Sequence, residues 1–126
     1  MKRLAFGIVA LGLLGARPAA AQEAKTEMAD GKDVEFTAQV VDLSCKVVYG
    51  LSGEEHRMCS EVCADNGIPL GLVADGKLYV PVSNAMPGTG ANEQLKPLVE
   101  QEVRVRGKVI ERAGLNTIII ESIGAV

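Results

Sequence analysis

The sequence contains no tryptophan and few other aromatic residues, with two phenylalanines and two tyrosines among 126 residues. It also has fewer basic residues than acidic ones, 13 against 16, which gives a formal net charge of −3. Proteins that bind nucleic acids depend on basic surfaces, and those that bind single strands also stack bases on aromatic rings. The composition therefore argues against nucleic acid as a partner.

The sequence also lacks a hydrophobic run long enough to cross a membrane. Its main apolar run, from Leu4 to Leu14, spans 11 residues, whereas a transmembrane helix needs about 20. Lys2 and Arg3 precede this run and Ala19-Ala20-Ala21 follows it, which is the layout of a cleavable secretory signal peptide. We therefore predict that residues 1–21 are a signal peptide, that the protein is periplasmic or secreted, and that no membrane span remains after processing.

The remaining chain is long enough for one domain. Removing residues 1–21 takes away three basic residues and no acidic one, so the net charge becomes about −6. Residues 22–33 are polar and lack apolar periodicity, which indicates a flexible lead-in. Residues 34–126 are then expected to form a single domain with its own hydrophobic core.

Alternating apolar residues predict strands on both sides of a helical segment. Alternation begins at Val34, and its parity shifts at Val40-Val41, which suggests a bulge or a strongly coiled strand. Asp75-Gly76 is a strong hairpin signal between strands 69–73 and 77–82. A short helix capped by Asn92 and made irregular by Pro97 is expected next, followed by two strands around residues 103–109 and 117–123.

The segment between the first two strands has the pattern of a helix. Ser52-Gly53-Glu54-Glu55 matches a capping box and predicts a helix over residues 53–65, which Gly67 would terminate. One face of that helix would carry His56, Cys59, Val62 and Cys63. The whole order of elements predicts a mainly β fold: a five-stranded OB-type barrel with a Cys/His-bearing helix inserted between strands 1 and 2 and a short helix before strand 4.

All three cysteines and the only histidine of the sequence lie within 19 residues, at Cys45, His56, Cys59 and Cys63. Three cysteines and one histidine are a standard tetrahedral ligand set for zinc, and soft thiolates also suit copper(I). Cys45, expected at the inner end of the first strand, can converge with the two helix cysteines. His56 lies about 10 Å from Cys63 along an ideal helix. We predict a zinc or copper site at Cys45, Cys59 and Cys63, with His56 as the fourth ligand.

Two other interpretations of the cysteines stay open. An oxidising compartment favours a disulfide, although Cys59 and Cys63 are one helical turn apart, with Cβ atoms about 5–6 Å from each other where a disulfide needs about 3.5–4.5 Å. A disulfide would therefore join Cys45 to Cys59 or Cys63 and leave one thiol free. Alternatively, all three thiols pack as small apolar groups in the core.

Six short motifs are spread over residues 42–107: Asp42-Leu43-Ser44-Cys45, His56-x2-Cys59-x3-Cys63, Gly67-Ile68-Pro69-Leu70-Gly71-Leu72, Gly76-Lys77-Leu78-Tyr79, Asn92-x2-Leu95 and Val103-x-Val105-x-Gly107. With these motifs the sequence resembles a group of small exported bacterial proteins over about residues 38–123. The resemblance implies an OB-like fold and an exported setting. It implies no particular activity.

The sequence offers little for catalysis. It has no Cys-x-x-Cys redox motif, no Ser/His/Asp arrangement that would spare His56, and a four-ligand thiolate site leaves no open metal position. We therefore expect a non-catalytic, exported metal-binding protein whose partner is another exported protein. The alternative is a disulfide-stapled accessory or interaction domain of a periplasmic assembly.

Export and processing are directly testable. Protein expressed with its own leader and recovered from the exported fraction should begin at Gln22, because Ala19-Ala20-Ala21 supplies the small residues that signal peptidase accepts. Intact-mass measurement checks this, and a mass that retains residues 1–21 would contradict it.

Overall fold

The computed structural model describes residues 28–126, which form a closed β-barrel of five strands. The predicted signal peptide, residues 1–21, and the first half of the lead-in, residues 22–27, lie outside the described residues. The strands are β1 (Lys32–Asp42), β2 (Leu70–Ala74), β3 (Lys77–Pro81), β4 (Glu102–Arg112) and β5 (Leu115–Ala125). The helices are α1 (Leu43–Tyr49), α2 (Arg57–Asp65) and α3 (Asn92–Leu95), with short 3-10 turns at Glu54–His56 and Lys96–Leu98.

The strands follow the order β1-β2-β3-β5-β4 around the barrel. All neighbours are antiparallel except β3 and β5, which close the barrel through a short parallel pairing at Val80 and Pro81. The predicted mainly β, five-stranded OB-type barrel is confirmed, with helical elements inserted between β1 and β2 and a short helix before β4.

The first strand shares two neighbours, and this explains its shift in apolar parity. Residues Lys32–Gln39 pair with β4, while Gln39–Asp42 pair with β2. Val40, Val41 and Asp42 are consecutive and all fully buried, because both faces of the strand are covered where it passes from one partner to the other. The strand thus ends deep in the structure, directly before the inserted helices.

The barrel interior is filled by aliphatic side chains from every strand except β3, whose Tyr79 packs against the core from a partly buried position. Leu95 and Val99 are fully buried and close one end of the barrel from the segment that contains α3. Asp75 and Gly76 both have positive φ values, 49° and 73°, which is the geometry of the tight turn that this dipeptide predicts. Burial of these aliphatic side chains is the main source of stability for the barrel.

The inserted segment differs from its expected form at two points. The predicted capping box is absent: the 3-10 turn and α2 begin after Gly53 without a side-chain cap, and Ser52 Oγ instead accepts a hydrogen bond from Lys46 Nζ at 2.9 Å. Residues 43–49, expected to continue the strand and its loop, form helix α1.

Asn92, expected to cap the short helix α3, is instead the first residue of that helix, and its side chain accepts a hydrogen bond from the Leu70 N–H.

No helix within residues 28–126 is long and apolar enough to cross a membrane.

Gly107 offers a test of the barrel packing. A β-bulge between Arg106 and Gly107 shifts the β4–β5 register, and a Cβ added at Gly107 would lie 2.1 Å from the carbonyl oxygen of Ile119. Gly107→Ala should therefore destabilise the protein by about 1–3 kcal/mol or more, the cost of overpacking against backbone. Gly124→Ala is the matched control in β5, since nothing lies within 4 Å of its added Cβ. Chemical denaturation of both variants checks this, and equal stabilities would contradict it.

Candidate metal centre

The three cysteines converge at the junction of the two inserted helices. The Sγ atoms of Cys45, Cys59 and Cys63 all lie within 4.8 Å of one another. All three thiols are free, so none of the predicted disulfides is formed. Cys45 and Cys63 are half-buried and Cys59 is exposed. The cluster is therefore open to solvent on the Cys59 side.

Helix α1 is what brings Cys45 to the other two thiols. Its N-cap is Asp42, whose Oδ1 accepts the backbone N–H of Cys45 at 2.7 Å. Its C-terminus is Gly50 in the left-handed conformation, with φ 71°, a common way to end a helix. Cys45 was expected at the end of the first strand. It lies instead in the first turn of α1, three residues after β1 ends at Asp42. The capping residue and the terminal glycine overcome the strand preference of Val47-Val48-Tyr49.

Helix α2 docks on the barrel through small residues. Ser60 and Ala64 are its buried residues, whereas Val62 is exposed. The face predicted to carry His56, Cys59, Val62 and Cys63 is therefore not the buried face of α2, which Ser60 and Ala64 form instead. The cysteines lie on the flank of the docked face, where they meet Cys45 of α1.

A buried carboxylate holds the inserted segment against the barrel. Glu100 is 7% exposed, and its side chain accepts a hydrogen bond from the Ser60 hydroxyl at 2.7 Å and another from the Gly53 N–H at 2.6 Å. Its own N–H donates to the carbonyl of Val40 at 2.8 Å. Glu100 also has a positive φ of 58°, an unusual conformation for a non-glycine residue. One residue therefore links β1, the start of the 3-10 turn and the middle of α2.

The end of α2 is held by Asn92. Its Nδ2 donates to the carbonyls of Ala64 and Ile68, at 3.1 and 2.8 Å, and its Oδ1 accepts the N–H of Leu70 at 3.0 Å. The amide side chain so joins the last turn of α2 to the first residue of β2. Lys96 forms an ion pair with Asp65 beside this contact. Both ends of α2 are therefore fixed relative to the barrel.

The Asp42 carboxylate adds a negative charge beside the thiols. Asp42 is fully buried, and its Oδ2 makes no hydrogen bond of ordinary geometry within the described part of the chain. Because the protonated thiol can donate a hydrogen bond to this carboxylate and because the thiol is partly desolvated, the pKa of Cys63 is raised to about 12. Burial, followed by the charge of Asp42, also raises the pKa of Cys45. Both thiols are therefore protonated at neutral pH while the site holds no cation.

His56 lies at the start of α2, three residues before Cys59. It does not belong to the group of mutually close ligand atoms that the three cysteines form. Its Nε2 is nevertheless buried without a hydrogen-bond partner, and Asp42 Oδ2 is the other such side-chain atom among residues 28–126. An unpaired buried polar atom costs free energy. Asp42 lies beside the thiols, where a cation would interact with its carboxylate, whereas His56 lies outside the group of converging ligand atoms.

The spacing of the three sulfur atoms suits a thiophilic metal ion. With Zn–S bonds of about 2.3 Å, sulfur atoms in a tetrahedral site are about 3.8 Å apart, so the observed limit of 4.8 Å requires at most about 1 Å of adjustment. Rotation of a Cys side chain supplies this without moving the backbone. Met58 and Met86, which also carry soft sulfur atoms, are both strongly exposed.

Sequence patterns missed Glu100 and the helix that carries Cys45. The signal for α1 was present, because Asp42 and Gly50 stand at the right spacing for an N-cap and a left-handed terminator. Glu100 had no comparable signal, since a lone acidic residue after a short helix is usually solvated. Comparison of this chain with protein-family models, with curated proteins and with solved structures found no match.

The pKa of Cys63 leads to a reactivity prediction. In reduced, metal-free protein at pH 8, Cys63 should react slowly with iodoacetamide because little of it is thiolate. Asp42→Asn should speed its alkylation about tenfold for each unit by which the pKa falls, while asparagine keeps the N-cap hydrogen bond. Asp75→Asn, in the β2–β3 turn, is the matched control. Peptide mass mapping over time measures the rates, and an unchanged rate at Cys63 in Asp42→Asn would contradict the assignment.

Proposed function

We propose that this protein is an exported, non-catalytic metal-binding protein that holds one zinc or copper(I) ion through the thiolates of Cys45, Cys59 and Cys63. The observation that carries the proposal is the convergence of three free thiols from two helices to within 4.8 Å. Thiolates are the protein ligands that zinc and copper(I) share. The layout of residues 1–21 supports export to the periplasm or beyond.

In this proposal, a zinc site and a copper(I) site differ in whether His56 is a ligand. Zinc favours four ligands, so in a zinc site the buried, unpartnered Nε2 of His56 is the fourth ligand that we propose. Copper(I) needs no ligand beyond three thiolates, and His56 would then stay outside its coordination shell. Asp42 serves either ion by holding Cys45 in place through its N-cap hydrogen bond.

Binding should release protons, because Cys45 and Cys63 must both lose theirs to bind as thiolates. The affinity should therefore rise with pH through the neutral range, by at least about a hundredfold per pH unit for these two protons.

The test is metal content and thiol count on the same exported protein. Protein purified from the periplasm without chelator should carry about one zinc or copper per chain, and three thiols should react after denaturation in the presence of chelator. Metal should raise the thermal midpoint, because a ligand that binds only the folded state stabilises it. Cys45→Ser, Cys59→Ser and Cys63→Ser should each lower metal content and the midpoint together.

Two further variants sharpen this test. His56→Ala should weaken zinc binding and leave copper(I) binding nearly unchanged. Met58→Leu, which removes the nearest thioether while keeping its volume, is the control and should bind as the wild type does. Recovery of one reactive thiol and no metal would instead identify a disulfide from Cys45, and with it the stapled accessory domain. Three free thiols that never retain metal would contradict both functions.

A further inference from the structure

The cysteine site is surrounded by apolar side chains that the fold leaves in solvent. Within residues 28–126, six of the large hydrophobic side chains with substantial exposure belong to the inserted segment, and each is between 48% and 78% exposed. We call them the apolar surface: Val47, Val48, Tyr49, Leu51, Met58 and Val62. Helix α1 contributes three of them and has no buried residue.

These side chains lie close to the thiols on both helices. On α1, Val48 and Tyr49 follow Cys45 by three and four positions, and on α2 Val62 follows Cys59 by three. Residues at these spacings share a helix face, with Cβ atoms about 5–6 Å apart. Because the three thiols meet between the two helices, the apolar surface lies around them, with exposed Cys59 as the accessible sulfur.

The apolar surface is not a continuation of the barrel core. The core consists of aliphatic strand residues together with Ala64, Leu95 and Val99, and no residue of the apolar surface belongs to it. Contiguous exposed apolar side chains in a protein with a complete core are typical of an interaction surface. Here that surface borders a ligand set that must receive its metal from elsewhere.

The charges near the apolar surface indicate the sign of the partner. Glu54 and Glu55 are exposed and form no ion pair with another described residue. Arg57 is offset by Glu61 at 3.5 Å, whereas Lys46 donates to the neutral Ser52 hydroxyl and keeps its charge. Two unpaired glutamates against one unpaired lysine leave a net negative charge beside the thiols. A second copy of this chain would bring two acidic rims together, whereas a cationic partner would be attracted.

We propose that the cysteine site exchanges its metal with a cationic protein segment that carries its own thiolate metal site and docks on the apolar surface. This inference rests on the proposed function. The metal keeps its oxidation state throughout. A bond from the metal to Cys59 Sγ forms as one donor thiolate leaves. Cys45 and Cys63 then displace what remains of the donor's thiolate ligation. Each receiving thiol gives up its proton to solvent as it binds, and the donor sulfur atoms that the metal has left take up protons from solvent.

The experiment uses two synthetic peptides that present the same Cys-x-x-Cys copper(I) site between leucine-containing flanks. One peptide has lysine flanks and the other has glutamate flanks. Both peptides are also tested with zinc bound in place of copper(I). The rate of metal transfer to the reduced, metal-free protein is followed by stopped-flow absorbance. The lysine peptide should transfer at least about tenfold faster at low salt, and the ratio should shrink as salt screens the charges.

Protein variants separate charge from apolar contact. Glu54→Gln/Glu55→Gln should reduce the preference for the lysine peptide, and Val48→Ser/Val62→Ser should slow transfer from both peptides. Leu115→Ser is the matched control. Its side chain is also exposed, but it lies at the β4–β5 turn, beyond the Lys32 end of β1, whereas the cysteine site follows the Asp42 end. Copper(I) supplied as its acetonitrile complex should load all of these variants equally.

Each outcome has one meaning. Equal transfer rates from the two peptides, with normal loading from the acetonitrile complex, would overturn the docking inference and leave the metal-binding function intact. Failure to retain metal from any source would overturn the proposed function itself. Metal-dependent dimers in sedimentation, lost in Val48→Ser/Val62→Ser, would overturn the cationic partner in favour of a second copy.

Discussion

The inserted segment depends on the carboxylate of Glu100. A helix of nine residues such as α2 is marginal on its own and must gain its stability from docking. Its docked face offers only Ser60 and Ala64, which bury little apolar area. The two short hydrogen bonds from Ser60 and Gly53 to Glu100 supply what that face lacks, since hydrogen bonds to a charged acceptor are stronger than neutral ones. The position of α2, and hence the convergence of Cys59 and Cys63 with Cys45, follows from this buried contact.

The barrel and the segment that carries the thiol site are therefore stabilised by different interactions. The barrel is held by aliphatic burial, whereas the insert is held by a few polar contacts, from Glu100, Asn92 and Asp42. Because those contacts leave little apolar area buried, a metal ion bound by residues of both α1 and α2 would join two elements that the fold itself connects weakly. Metal affinity and the order of the insert would then be aspects of one equilibrium.

Sequence patterns identified what depends on periodicity and local turn chemistry. Strand alternation, Asp75-Gly76 and the spacing of elements sufficed for the barrel, because each reflects a repeat of two residues or a required positive φ. The grouping of Cys45, Cys59 and Cys63 was likewise foreseen. The docked face of α2 was not, since Ser60 is polar and is buried only because Glu100, forty residues later, meets it. The capping box failed for a related reason: the N–H of Gly53 is taken by Glu100, and Ser52 is engaged by Lys46. Such pairings depend on tertiary structure, which a local pattern does not contain.

The two ends of the insert lie opposite each other in the barrel. Asp42 pairs with Leu70 across the β1–β2 ladder, and the N–H of Leu43 donates to the carbonyl of Pro69 at 3.1 Å. For the barrel, residues 43–69 are therefore only a long hairpin loop, and closing such a loop costs about 2 kcal/mol more than closing a two-residue turn. A different segment at this position would require no change in strand order, but it would have to provide partners for the side chains of Glu100 and Asn92. The thiol site thus belongs to the inserted segment and not to the barrel. The junction between Asp42 and Leu70 is therefore a suitable place to engineer a different binding segment.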